Sequence, residues 1–398
     1  EMNEPRRTRS QSKIFPTIAQ VKEEKPEENI PTTYSLRPHR ATTYKLDSVS
    51  QINMPKEAEK KEELKKKEEP KKKEELKKKE ELKKKEDTRR KKKEKEDITC
   101  RVKRMVDGRG YINKKHLEIG EQLLGEGQTS LVYKAKHKGL DVACKTGRSQ
   151  CLRKSEEKIV HELNYAAKLY MCRYVNRYVG WLHCHPRELM SETALKKYTQ
   201  NTTKIGPTLF VVQRYFPNGD GRTYFHSRKS LVDPSEVLQV AICLFSALVD
   251  AHSLGVGFVD LKLENLLIDT AGSAWITDFE SCIEFDDTEL VRLTDEVSWT
   301  IGVAAPEMID KSEFCKPSDV FMATVILTEI MTATTSDERF KKKVLQRQKN
   351  GSVDFVTTYI SNQYELFFPL LKAGLSNDPK SRPTANGGLK FLLDMKKF

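Results

Sequence analysis

Residues 258–265 read FVDLKLEN, and this stretch decides how the rest of the chain is read. An acid at Asp260, a base two further on at Lys262 and an amide five further on at Asn265 stand among Phe258, Val259, Leu261 and Leu263. Just before it, an apolar run is predicted to form a helix from Val237 to Leu254, with Gly255 as its stop signal. Three polar groups of different chemistry thus follow directly on a core helix. The segments that come before and after them show what they are for.

Composition divides the 398 residues unevenly. From Lys60 to Asp97 almost nothing is apolar, and Lys and Glu alternate in blocks: 20 basic and 13 acidic residues, a net of +7 against +13 for the whole chain. Such a segment buries too little apolar surface to offset the entropy of ordering, so disorder or a solvated helix is expected. Leu64, Leu76 and Leu82 fall on a six-residue spacing that makes no continuous helical stripe, which argues against a coiled coil. The segment reads as a solvated spacer or as a basic arm for an acidic surface such as a microtubule, nucleic acid or anionic lipid. Residues 1–59 lack periodicity and read as a disordered arm, with one small echo, TTYSL at 32–36 and TTYKL at 42–46.

No n-region followed by an apolar run appears, and no stretch suggests a transmembrane segment. The eight cysteines are scattered singly, which suits a reducing compartment, cytoplasmic or nuclear. The run His183-Cys184-His185 does not make a zinc site, because adjacent residues cannot easily converge on one tetrahedral ion.

From Ile119 to Lys145 the chain alternates apolar and polar residues, giving two strands joined by a glycine turn and then a third strand. Gly125 and Gly127 in that turn carry no β-carbon, so the backbone there can approach a phosphate closely. Lys145 at the end of the third strand needs a counter-charge. Glu162 supplies one: Ile159, Leu163 and Ala166 fall on one face of a predicted helix, which turns Glu162 inward, whereas Glu156 and Glu157 are expected to face water. The run 208–220, TLFVVQRYFPNGD, reads as a buried strand entering a turn, and the polar stretch between Trp181 and Thr208 reads as a long excursion.

Further on come WITDFESC at 275–282, AAPEM at 304–308, Asp319 in a long apolar helix, and Arg382 in DPKSRPTA. With G-x-G-x-x-S-x-V ending at Val132, VACK at 142–145 and D-x-K-x-x-N at 260–265, this ordered set resembles the eukaryotic protein-kinase superfamily from roughly Leu117 to Phe398. The resemblance implies an α+β bilobal kinase fold. A small β-rich N-lobe would occupy about 117–216 and a larger helical C-lobe about 217–398, behind a disordered basic N-terminal arm.

It also implies ATP and Mg2+ as cofactors and protein substrates with Ser/Thr acceptors. In that reading Gly125, Gly127, Val132, Ala143, Lys145, Glu162, Gln213 and Tyr215 serve the nucleotide. Asn265 and Asp278 would ligate metal, Asp260 would take the hydroxyl proton, and Lys262 would neutralise the moving phosphate. Thr300 would bond Asp260 and Lys262, which favours Ser/Thr over Tyr as acceptor, and Arg382 would pair with Glu307.

Four positions depart from the family pattern. Ser130 stands for the third glycine of the loop, Phe258 and Val259 for His-Arg, and Glu280 for the glycine after Asp-Phe. Phe258 is expected to keep the packing on Phe279. Val259 removes the base that would read a phosphorylated activation segment. That segment is already acidic, with Glu284, Asp286, Asp287, Glu289, Asp295 and Glu296, so activity without its phosphorylation is expected. Glu280 is expected to resist the backbone angles a glycine would permit.

Overall fold

The alternation over residues 117–147 becomes three antiparallel strands, β1 (Leu117–Glu126), β2 (Ser130–His137) and β3 (Leu140–Gly147). Helix α1 (Leu152–Lys168), strand β4 (Tyr178–Cys184), helix α2 (Glu192–Thr199) and strand β5 (Thr208–Arg214) follow. The computed structural model describes residues 100, 102–103, 110–149, 152–199, 205–285, 289–332 and 360–397. The two N-terminal arm segments, 1–59 and 60–97, lie outside the described residues.

The five strands form one sheet in the order β1-β2-β3-β5-β4. Strand periodicity gives this sheet two different faces. Leu131, Tyr133 and Ala135 of β2, with Val142 and Cys144 of β3 and Phe210 and Val212 of β5, build one core layer. Against the opposite face lie Ile159, Val160 and Leu163 of α1, with Trp181, Leu209, Val211 and the upstream Val102.

The stretch before β5 is not only an excursion. Ala194 and Tyr198 of α2 are buried in the first layer with Leu189 and Met190, so the inserted segment caps a face of the sheet. Its polar composition hides this, because Ala194, Leu195 and Tyr198 carry the apolar contact while the rest of the helix is polar.

After β5 the chain becomes helical, with α3 (Gly221–His226), α4 (Pro234–Ser253), α5 (Pro306–Lys311), α6 (Lys316–Met331), α7 (Phe368–Gly374) and α8 (Ala385–Met395). Asp233 caps α4, its carboxylate accepting from the Ser235 N–H, and Pro234 sits at the first turn where its missing donor costs nothing. Gly255 ends the helix at φ +69°, as its stop signal predicts. Val237, Val240, Leu244, Phe245 and Leu248 of α4 are fully buried, each stabilising the fold by about 1.5–3 kcal/mol relative to exposure. α4 is long and apolar enough to cross a membrane by length and composition only, and most of it is packed inside this lobe. α8 comes so close that a β-carbon on Gly388 would fall 2.3 Å from the Phe245 ring.

Three short strand pairs complete the helical half. β6 (Val256–Gly257) pairs with β9 (Ile283–Glu284), β7 (Leu266–Ile268) with β8 (Ala274–Ile276), and β10 (Leu290–Arg292) with β11 (Glu313–Cys315). The stretch FVDLKLEN is therefore the loop between β6 and β7.

Candidate active site

The β7–β8 register brings the end of this loop beside the residues after β8, where the Thr277 N–H donates to the Asn265 carbonyl at 2.9 Å. β6–β9 holds its start beside residues 283–284. Backbone pairing thus brings Asp278 beside the loop that carries Asp260 and Asn265.

Within the loop the side chains form a closed network. Lys262 Nζ lies 2.6 Å from Asp260 Oδ2 and donates to Thr300 Oγ1 at 3.0 Å. The Thr300 N–H donates to Asp260 Oδ1 at 2.9 Å, and Asn265 Nδ2 to the Asp260 carbonyl at 2.9 Å. Asp260 is held at both carboxylate oxygens and at its backbone, which fixes its rotamer.

Val259 is fully buried and adopts φ +62°, with the Asp260 N–H bonded to the Phe258 carbonyl at 2.7 Å. A β-branched residue in this region is strained, so the surroundings must hold the tight turn in place. Buried Asp319 does so, accepting from the Phe258 N–H at 3.1 Å and bonding His252 Nε2 at 3.0 Å. The Phe258 ring packs on buried Phe279 at 6.4 Å between centroids, the contact expected of it. Val259 in that core presents no charge to the activation segment.

On the sheet, Gly125 pairs with Val132, Val132 with Lys145, and Ala143 with Gln213. Cross-strand partners share a face, so these positions all lie on the side opposite the α2 layer. Gly127 closes the turn before β2 through its N–H to the Ser130 carbonyl at 2.9 Å. Tyr215 follows β5, half-buried, with Lys134 Nζ 4.6 Å from its ring centre.

Lys145 Nζ makes two ion pairs, 2.7 Å to Glu162 and 3.1 Å to Asp278. Burial acts to lower the Lys145 pKa, but Asp278, Glu162 and Glu280 outweigh it and hold the ammonium above its ordinary range. Burial likewise acts to raise the Asp278 pKa, and Lys145, then Lys262, more than reverse this, keeping it ionised. Tyr178 donates its hydroxyl to Glu162, and burial and that carboxylate push its own pKa well up.

Three features escaped the sequence reading. Behind the sheet face, Asn176 Nδ2 donates to Gln213 Oε1 at 2.8 Å and to Thr277 Oγ1 at 3.3 Å, forming a polar link from β5 to the residue before Asp278. Glu156 is not in water but partly buried, 3.8 Å from His183. Glu280 does not carry the expected strain: the left-handed angle falls on Asp278, at φ +64°, and Glu280 is not among the positive-φ residues. Its carboxylate is instead engaged by Thr129 and Lys158.

The residues fit a magnesium–nucleotide complex. Asp278 keeps 40% of its side chain exposed, and with Asn265 it supplies the oxygen donors magnesium prefers. Among the described residues no set of three acidic, His or Cys side chains converges, so a metal here would complete its shell from phosphate oxygens and water.

The protein kinase domain family model matches residues 119–391. The chain belongs to the protein kinase family. Among curated relatives, the L-type lectin-domain containing receptor kinase IX.1 of Arabidopsis thaliana is 25% identical over 257 residues, 62% of this chain and 34% of its own length. The probable serine/threonine-protein kinase PBL15 of the same plant is 26% identical over 151 residues, 37% of this chain and 36% of its own. The serine/threonine-protein kinase PknE of Mycobacterium tuberculosis is 24% identical over 186 residues, 47% and 32% respectively. The chain thus spans about a third of the length of these three kinases. In kinase terms, the β sheet with α1 is the N-lobe and the helical half is the C-lobe.

Proposed function

We propose that the chain is an ATP- and Mg2+-dependent protein kinase that phosphorylates Ser/Thr hydroxyls of protein substrates without first being phosphorylated on its activation segment. The observation that carries this reading is the network Asp260–Lys262–Thr300 standing complete while Lys145 is paired with inward-turned Glu162. Bound Mg-ATP supplies the phosphoryl group and neutralises charge on its oxygens.

Lys145, oriented by Glu162, holds the phosphates, and the glycine-rich loop 125–130 covers them. The sheet face with Val132, Ala143 and Gln213, and the backbone at Tyr215, receives the adenine. Asn265 and Asp278 hold the metal. Asp260 accepts the hydroxyl proton, and Lys262 stabilises charge at the moving group. Thr300 bonds both Asp260 and Lys262, which supports Ser/Thr preference.

The acidic rim of the activation segment is partly neutralised: Glu284 pairs with Lys168 and Glu289 with Lys316, both at 2.5 Å, while Asp295 and Glu296 stay exposed. Asp286, Asp287 and Thr288 lie outside the described residues. The Lys145–Asp278 ion pair favours a second reading, a scaffold that binds nucleotide or partners without transfer, its basic arm on an acidic surface. If that pair persists with nucleotide bound, the cation is withheld from the phosphates.

Transfer assays on Lys145→Met and Asp278→Asn decide between the two. The kinase reading expects each to lose on the order of 10²-fold or more in kcat, and transfer at the wild-type rate in either variant would remove it.

A further inference from the structure

Glu280 is the position where this chain departs most from the family pattern. Its Oε2 accepts from Thr129 Oγ1 at 3.1 Å, and its Oε1 forms an ion pair with Lys158 Nζ. These partners lie 151 and 122 residues away, on two separate elements of the N-lobe. Thr129 is at the tip of the glycine-rich loop, and Lys158 is on α1, one turn before Glu162. The side chains of Glu280 and Lys158 are 17% and 24% exposed, so the pair is shielded from much of the screening that weakens surface ion pairs.

Residues four apart share a helix face, so Lys158 and Glu162 both point toward the cleft. α1 is therefore tied by two ion pairs of opposite polarity: Glu162 to Lys145 of the sheet, and Lys158 to Glu280 beside Asp278. The loop tip is held from two sides. Thr129 bonds Glu280, while the Arg148 N–H donates to the Thr129 carbonyl at 2.9 Å and Arg148 Nε to the Gly127 carbonyl at 2.7 Å. A glycine at 280 would leave Lys158 and Thr129 without this partner, and the backbone there makes no demand for one.

We infer that Glu280 is a positioning residue, a built-in latch that fastens both the tip of the glycine-rich loop and helix α1 to the segment bearing Asp278. It places a negative charge against Lys158 of α1 from within the chain. The inference rests on the kinase reading for its consequence, but the latch itself exists without nucleotide. Its effect is to keep Glu162 turned toward Lys145 and to slow opening of the loop.

The test is hydrogen–deuterium exchange of the full chain without nucleotide, in wild type, Glu280→Gly, Thr129→Val, Lys158→Met and the swap Lys158→Glu/Glu280→Lys. Glu280→Gly is expected to raise exchange in both 125–131 and α1 by about five- to tenfold. Thr129→Val should raise it in the loop alone, and Lys158→Met in α1 alone. The swap should restore protection of α1, a rescue that a merely structural residue would not show. With Mg-ATP, Thr129→Val should raise KM for ATP about fivefold. Unchanged exchange in Glu280→Gly, in a protein that transfers phosphate, overturns the latch and leaves the kinase reading. Raised exchange in a protein that transfers none supports the latch and overturns the kinase reading. Should Glu280→Gly fail to fold, the separate loop and helix responses of Thr129→Val and Lys158→Met decide, and no change in either overturns the inference.

Discussion

Arg382 offers the sharpest test of how the C-lobe is held. Its guanidinium meets Glu307 in a two-pronged contact, Nη1 to Oε1 at 2.7 Å and Nη2 to Oε2 at 2.8 Å, with the Arg382 side chain 0% exposed and that of Glu307 7% exposed. Further bonds run from Arg382 Nε to the Ser376 carbonyl at 2.8 Å and from Nη1 to the Pro317 carbonyl at 3.1 Å. Truncation to alanine would leave Glu307 buried with the Ser318 hydroxyl at 2.5 Å as its principal remaining donor. Breaking one side of a buried pair costs about 3–5 kcal/mol. At about 2–4 °C per kcal/mol for a domain of this size, melting should fall by roughly 6–20 °C.

Replacing both partners by apolar residues, Arg382→Met with Glu307→Leu, removes the orphaned charge and should recover much of that loss. Calorimetry on the single and double variants measures this. A melting temperature for Arg382→Ala within a degree or two of wild type would refute the argument, as would a double variant that melts lower than the single one.

The remaining expectations can be checked separately. Thr300→Ala removes the hydroxyl that accepts from Lys262 and should lower kcat on Ser/Thr substrates about tenfold with KM for ATP unchanged, in steady-state kinetics, whereas Thr300→Ser should keep most activity. Phosphatase treatment of bacterially made protein should leave its rate within about twofold, because buried Val259 reads no phosphate and Lys158 is already paired. Burial pushes the Cys144 and Cys282 thiols up, so mass spectrometry after iodoacetamide should find both unmodified in native protein and exposed Cys100 alkylated. If residues 60–97 act by charge, their binding to a polyanion should fall steeply between about 50 and 200 mM salt, as a filter-binding titration would show.

What the sequence revealed and what it hid separate by range. Asp260, Lys262 and Asn265 were legible because they lie within six residues, and the Lys145–Glu162 pair because the apolar face of α1 fixes which way Glu162 turns. Thr300 and Arg382 followed from their motifs, and the structure gives each the expected partners. The Thr129–Glu280–Lys158 contact had no local signal, since each member is an ordinary polar residue and only tertiary closure brings them together. Glu280 was misread because the glycine rule concerns an angle that the backbone assigns to Asp278 instead. The Asn176–Gln213 link stayed hidden for the same reason as the latch, a contact between residues far apart in sequence.

The central claim is that the Asp260 network performs phosphoryl transfer without prior phosphorylation. The measurement that addresses it most directly is radiolabel transfer from ATP to generic basic and acidic protein substrates. It would use phosphatase-treated wild type and Asp260→Asn, with nucleotide affinity determined for both by titration. The account predicts magnesium-dependent labelling of Ser/Thr by wild type, a loss of about 10²–10⁴-fold in Asp260→Asn, and matching nucleotide affinities. Wild-type labelling no greater than that of Asp260→Asn, in protein that still binds Mg-ATP, would contradict it and leave a nucleotide-binding scaffold.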